Sequence, residues 1–73
     1  MLLSDFVKER RNVARLTQPE LAEKAGVGLR FVRDLEQGKE TMRLDKVNQV
    51  LQLFGYQAGA IPMNRNQMTD EKR

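Results

Sequence analysis

Apolar residues recur along this chain at helical spacing in separate stretches, divided by glycine and polar breaks. Leu3, Phe6, Val7, Val13 and Ala14 fall on or beside one stripe, which predicts a first helix over about Leu3 to Ala14; Arg15 and Leu16 form a break after it. Thr17 to Glu20 has the T-x-x-E pattern of a capping box, in which the Thr17 hydroxyl accepts from the Glu20 amide and the Glu20 carboxylate accepts from the Thr17 amide. Pro19 stands in the first turn, where its missing N–H costs nothing. Leu21, Ala22 and Ala25 supply a small apolar face, and Gly26 suits the left-handed residue that ends a helix. The second helix is therefore short, and its small residues let another helix cross it closely.

A third helix is expected over about Leu29 to Gln37, with Gly28 as its N-cap and Gly38 as its end. Phe31, Val32 and Leu35 share one side of it. Arg30, Arg33, Asp34 and Gln37 share the other, and Leu29 lies on the flank between them. Lys39 to Arg43 is a polar loop. A fourth helix should span about Leu44 to Phe54, with Leu44, Val47, Val50, Leu51 and Phe54 inward, Asp45 suited to the helix dipole, and Gly55 closing it. Tyr56 to Met63 is short and mixed, with Pro62 near its end, and is compatible with a single edge strand. Asn64 to Arg73 contains one apolar residue and reads as a disordered tail. The expected organisation is a folded domain over 1–55, a short segment over 56–63 and a tail over 64–73.

Composition narrows the function classes. With 73 residues the chain has room for one small core, and it has no cysteine and no histidine. Disulfides are excluded, no metal site or cofactor is expected, and oligomerisation is the remaining common reinforcement. Apolar runs are only a few residues long, so no membrane span is expected, and the N-terminus lacks the pattern of a signal peptide, which points to the cytoplasm. The net charge of +3 permits nucleic-acid binding without establishing it. Few aromatics (Phe6, Phe31, Phe54 and Tyr56) argue against a stacking platform for single strands. No nucleophile–base pair and no Gly-rich phosphate loop is present, so an enzyme is not expected.

What remains is a short helix, a sharp turn at Gly26 and a second helix whose polar side carries two arginines. That arrangement presents a helix end to the DNA major groove. The segments T-Q-P-E-L-A-E-K-A-G-V-G (Thr17 to Gly28) and F-V-R-D-L-E-Q-G-K (Phe31 to Lys39) resemble the Cro/repressor-like (Xre-type) helix-turn-helix family, and the likeness covers about Val7 to Gly55. It implies an all-α, compact four- to five-helix lambda-repressor-like domain. The stretch G-V-G-L-R-F-V-R-D-L-E-Q-G-K followed by R-L-D-K-V-N-Q-V-L-Q-L-F-G looks like the HipB-like antitoxins. That likeness implies a short C-terminal edge strand for dimerisation, and an autoregulating repressor partnered with a HipA-type kinase toxin in a prokaryotic cytoplasm, associated with the nucleoid. Two departures stand out. Arg15 occupies a place where the family often has glycine, suggesting a less tight exit from the first helix, and Gly28 stands where many members carry a serine or threonine cap.

The resemblance assigns base reading to the start of the third helix, whose outward side the spacing already marked. Arg30 is the strongest candidate, since an arginine bonding guanine O6 and N7 together is worth about 1–3 kcal/mol of discrimination. Arg33 reads a base or holds a phosphate; Asp34 accepts from a cytosine amino group or orients Arg30. Leu29 contacts a thymine methyl or is a half-buried flank residue. Gln18 lies where free helix amides favour an anion, and the family uses this glutamine for a phosphate. Gln37, Lys39, Arg43 and, more weakly, Thr41 are phosphate candidates, the alternative for Lys39 and Arg43 being a solvated loop. The resemblance places Arg11 and Glu36 opposite each other as a structural ion pair. It also implies that Tyr56, Ala58 and Ile61 lie in the dimer strand, and that a homodimer binds a palindromic operator in double-stranded DNA. Two rival readings are a protein-binding module using the fourth helix and the tail with Met63 and Met68, and a phage-type repressor with no toxin partner.

Overall fold

A side chain caps the start of one helix, the second, while the other three begin without one. In the computed structural model, which describes residues 2–59, four α-helices follow one another: α1 (Leu3–Val13), α2 (Gln18–Ala25), α3 (Leu29–Glu36) and α4 (Leu44–Leu53). Among the described residues there is no strand. Ala14, Gln37 and Phe54, expected as last helical residues, are the C-caps of α1, α3 and α4.

Both halves of the capping box are made: Thr17 Oγ1 accepts from the Glu20 amide at 3.2 Å, and Glu20 Oε1 accepts from the Thr17 amide at 2.8 Å. At the other end of α2, Gly26 takes φ +76°, and the amides of Gly26 and Val27 both donate to the Ala22 carbonyl at 3.0 Å. From α4, Gln49 Nε2 donates to the carbonyls of Ala25 and Gly26 at 3.3 Å each, so α4 closes the α2 end as well as covering it.

The core is Val7 from α1, Leu21 and Ala22 from α2, Val32 and Leu35 from α3, and Val47, Val50 and Leu51 from α4. Phe6, Leu16, Ala25, Val27, Leu29, Phe31 and Phe54 are half-buried against it. Four expected inward positions are instead exposed: Leu3, Val13, Ala14 and Leu44. In α1 the reason is angular. Val13 lies six residues after Val7, about 240° round the helix, while the positions one turn after Val7 are Arg10 and Arg11, both half-buried. An arginine therefore fills the inner place that the stripe assigned to an apolar residue. Leu3 and Leu44 sit at helix starts, where they line a groove of about 460 Å³ together with Leu2, Met42, Val47 and Ala58.

The α1 exit is closed tightly despite the absent glycine. Arg15 adopts φ +60°, the left-handed region, while the Arg15 amide donates to Asn12 and the Leu16 amide to Arg11, at 3.0 and 3.1 Å. Beyond α4, Tyr56 packs edge-on against Phe6 with ring centroids 4.8 Å apart, and the Ala58 amide donates to Asn48 Oδ1 at 2.8 Å. The expected edge strand is therefore not formed over Tyr56 to Gly59; a strand that pairs only across a dimer has no partner within one chain. Ile61 and the remainder of 56–63, and the tail 64–73, lie outside the described residues.

A side chain in the left-handed region carries about 1–2 kcal/mol of strain, offset in glycine by the greater freedom of its unfolded chain. Arg15→Gly is expected to stabilise the domain by about 0.5–1 kcal/mol, measured as an upward shift in the urea midpoint with an unchanged slope.

Candidate nucleic-acid interface

One buried carboxylate sets how α1, α2 and α3 meet. The Glu36 side chain is 2% exposed and faces Arg11, which is 15% exposed. Arg11 Nε donates to Glu36 Oε2 at 2.7 Å and Arg11 Nη2 to Oε1 at 3.1 Å, a two-pronged pair. The third prong, Nη1, donates to the Leu16 carbonyl at 2.8 Å, in the α1–α2 connection. Gln18 Nε2 completes the set by donating to Glu36 Oε1 at 3.0 Å. Burial pushes the Glu36 carboxyl up, but the hydrogen bonds from Arg11 and Gln18 and the charges of Arg11 and Lys8 outweigh it and hold the group below the usual glutamate value.

The opposite face of α3 is open. Arg30 and Arg33 are exposed, and Leu29 is half-buried, placed on the flank against the core. Arg30 Nε lies 3.5 Å from Asp34 Oδ1, so the four-residue pairing is present. Gly38 (φ +85°) turns the chain back at the end of α3, and Lys39 Nζ comes within 3.7 Å of Asp34 Oδ2. The structure therefore gathers Arg30, Asp34 and Lys39 into one cluster, with Arg33 on the same helix. Gln37 and Thr41 are exposed beyond it and make no side-chain hydrogen bond with that cluster.

Two expected phosphate contacts are differently disposed. Gln18 already gives one amide hydrogen to Glu36, leaving the second for a ligand at the start of α2. Arg43 is turned onto Asp45, with Nε and Nη2 donating to the two carboxylate oxygens at 3.2 and 2.8 Å. Those bonds hold the Asp45 carboxyl below the usual aspartate value. Sequence spacing offered no sign of the Gln18–Glu36 bond, which joins residues eighteen apart. The Asp34–Lys39 contact had a signal: an acid and a lysine five apart with a glycine immediately before the lysine.

Among the described residues no group of three acidic, histidine or cysteine side chains is placed to hold a metal ion, and no helix is long and apolar enough to cross a membrane. The geometry thus consists of a capped short helix, a left-handed turn and an exposed basic helix. Residues 2–60 match the family described as Helix-turn-helix domain. The chain belongs to that family. An uncharacterised HTH-type transcriptional regulator of Sinorhizobium fredii, y4mF, is 58% identical over 45 residues, which span 62% of this chain and 59% of that protein. Both findings support the Cro/repressor-like (Xre-type) class of helix-turn-helix. In this helix-turn-helix, α2 and α3 are the two helices and Gly26 is the turn between them.

Removing Glu36 strands a largely buried guanidinium, whereas Asp34 is partly solvated and its ion pairs are long. Glu36→Ala is expected to cost about 2–4 kcal/mol and Asp34→Ala under about 1 kcal/mol, measured by denaturant unfolding. Because the folded Glu36 pKa is depressed, its contribution is complete above the unfolded value of about 4.3. That contribution is lost as the pH falls through the lower folded value. Stability should therefore drop on acidification below that point, and Glu36→Gln should flatten the drop while lowering stability at neutral pH.

Proposed function

We propose that this helix-turn-helix domain is a sequence-specific DNA-binding transcriptional repressor that works as a homodimer, and that it is the autoregulating antitoxin of a HipA-type kinase toxin. The observation that carries the DNA reading is the exposed Arg30–Arg33 face of α3, held against α2 by the Gly26 turn and the buried Glu36. A helix so presented reads base edges from its N-terminal residues, while the flanking Gln18, Gln37, Lys39 and Thr41 supply phosphate contacts that set register. Arg43 joins them once it exchanges Asp45 for a phosphate. The relative's name, a transcriptional regulator, supports the same role. The toxin pairing is supported by the likeness of Gly26–Lys39 and Arg43–Gly55 to HipB-like antitoxins. The prokaryotic cytoplasm, on the nucleoid, is the place such a repressor works.

A second copy is the occupant proposed for the apolar groove beside Leu3 and Leu44. Ala58 lines the same groove and belongs to the segment, with Tyr56 and Ile61, that the resemblance to HipB-like antitoxins implies for the dimer. Two copies on a palindrome would place two α3 helices about 34 Å apart or a multiple of it. Sedimentation should give twice the chain mass.

The deciding experiment is co-purification with the product of the neighbouring gene, followed by a gel shift on the protein's own promoter region. Capture of a kinase-like product and a shifted promoter fragment are the expected results; a shift without capture leaves a regulator with no toxin partner. In the same assay Arg30→Ala should relax sequence preference by about 1–3 kcal/mol at one base pair. Lys39→Ala should weaken binding without changing the preference at any single base pair, and lower the salt slope on the preferred duplex by about 0.9. Identical profiles for the two variants would remove the division between readers and anchors.

A further inference from the structure

Asp34 stands where a DNA-reading surface tolerates a carboxylate least. On the outer side of α3 it is the one acid beside Arg30, Arg33 and Gln37, and there it opposes both phosphates and the acceptor edge of guanine. Nor does it extend freely into solvent: its side chain is 22% exposed, against 87% for Arg30 and 56% for Lys39. Its two oxygens are divided between two cations, Oδ1 with Arg30 at 3.5 Å and Oδ2 with Lys39 at 3.7 Å. The backbone builds the second pairing, because the left-handed Gly38 lets the Lys39 amide donate to the Asp34 carbonyl at 3.0 Å.

We propose that Asp34 is a specificity filter: it holds Arg30 and Lys39 in the free protein, and makes their transfer to DNA costly unless the bases opposite offer the carboxylate a donor. The proposal rests on the DNA reading above and adds the means by which random sequence is refused. When Arg30 moves to a guanine and Lys39 to a phosphate, Asp34 loses both cations in a partly dehydrated interface. A cytosine N4 or adenine N6 amino group replaces them. Where neither is in reach, the carboxylate stays unpaired against the groove, which is unfavourable. Discrimination then comes from a penalty on wrong sequences as well as from contacts to right ones. Separations of 3.5 and 3.7 Å suit this exchange, since both are longer than a tight charged hydrogen bond.

Asp34→Asn removes the charge and keeps the shape. Binding is measured by fluorescence anisotropy on two probes: a random-sequence duplex pool, and the duplex that the unsubstituted protein enriches most from that pool. D34N is expected to bind the random pool about two- to fivefold more tightly at low salt. Its log K against log salt should steepen by about 0.9 as Lys39 gains a phosphate. The preference for the enriched duplex should fall about tenfold. Adding K39A to D34N should reduce the gain on random DNA and remove the added salt slope, leaving the part owed to Arg30. A merely structural role for Asp34 cannot produce tighter binding, so the gain separates the two. Random-pool affinity that is unchanged or weaker in D34N, or a gain that K39A leaves undiminished, overturns the filter alone. An unsubstituted protein that binds neither probe overturns the DNA reading, and the filter with it.

Discussion

Glu36 is a buried charge in a chain too small to carry one idly. Moving an isolated carboxylate out of water is strongly unfavourable, and only a full set of donors offsets it. Here the donors come from two other parts of the chain: Arg11 from α1 and Gln18 from the first residue of α2. The same guanidinium also bonds the Leu16 carbonyl, between those helices. A purely apolar contact among such short helices would tolerate sliding and rotation. A carboxylate with defined donors does not, because every displacement leaves a buried partner unsatisfied. The angle between α2 and α3, on which presentation of α3 depends, is therefore tied to one ionised group.

The turns make the other half of that constraint. Gly26 reverses the chain in the left-handed region, and Gln49 binds the carbonyls on either side of the α2 end. Gly38 does the same after α3 and brings Lys39 back towards Asp34. Arg15 makes an equivalent turn after α1 with a side chain in place of glycine. The Leu16 that follows it packs on the core, and its carbonyl holds Arg11. The strain at Arg15 is thus offset by a connection that the buried pair requires.

Features set within a few residues were legible in the sequence. The Thr17–Glu20 box, the Gly26 end and the inward positions Val32, Leu35, Val47, Val50 and Leu51 follow from local spacing alone, and stand where spacing put them. The α1 stripe misled because a helical pattern of apolar residues assumes that polar ones face out. Arg11 faces in, for a partner twenty-five residues away that no periodicity reveals. That partner came from family resemblance instead. Leu44 misled for another reason: its register is inward, but it lies beyond the edge of the core, where a groove is left open. The outward residues of α3 were legible as a set. The Arg30–Asp34 pairing was legible too, from its four-residue spacing, whereas the Asp34–Lys39 contact was only hinted at by the glycine before the lysine, because it depends on the path taken after Gly38.

Two acids in α3 show what side-chain placement does to the same chemistry. Asp34 and Glu36 are two residues apart, about 200° round the helix, and so lie on nearly opposite faces. The inner one has short bonds to partners that cannot leave, which makes its charge part of the fold. The outer one has longer contacts to two exposed cations, which makes its charge part of whatever that face meets. Exchanging their roles would defeat both. An exchangeable partner at the inner position would loosen the angle of α3, and a fixed pair at the outer position would lock away the arginine that the helix is there to present.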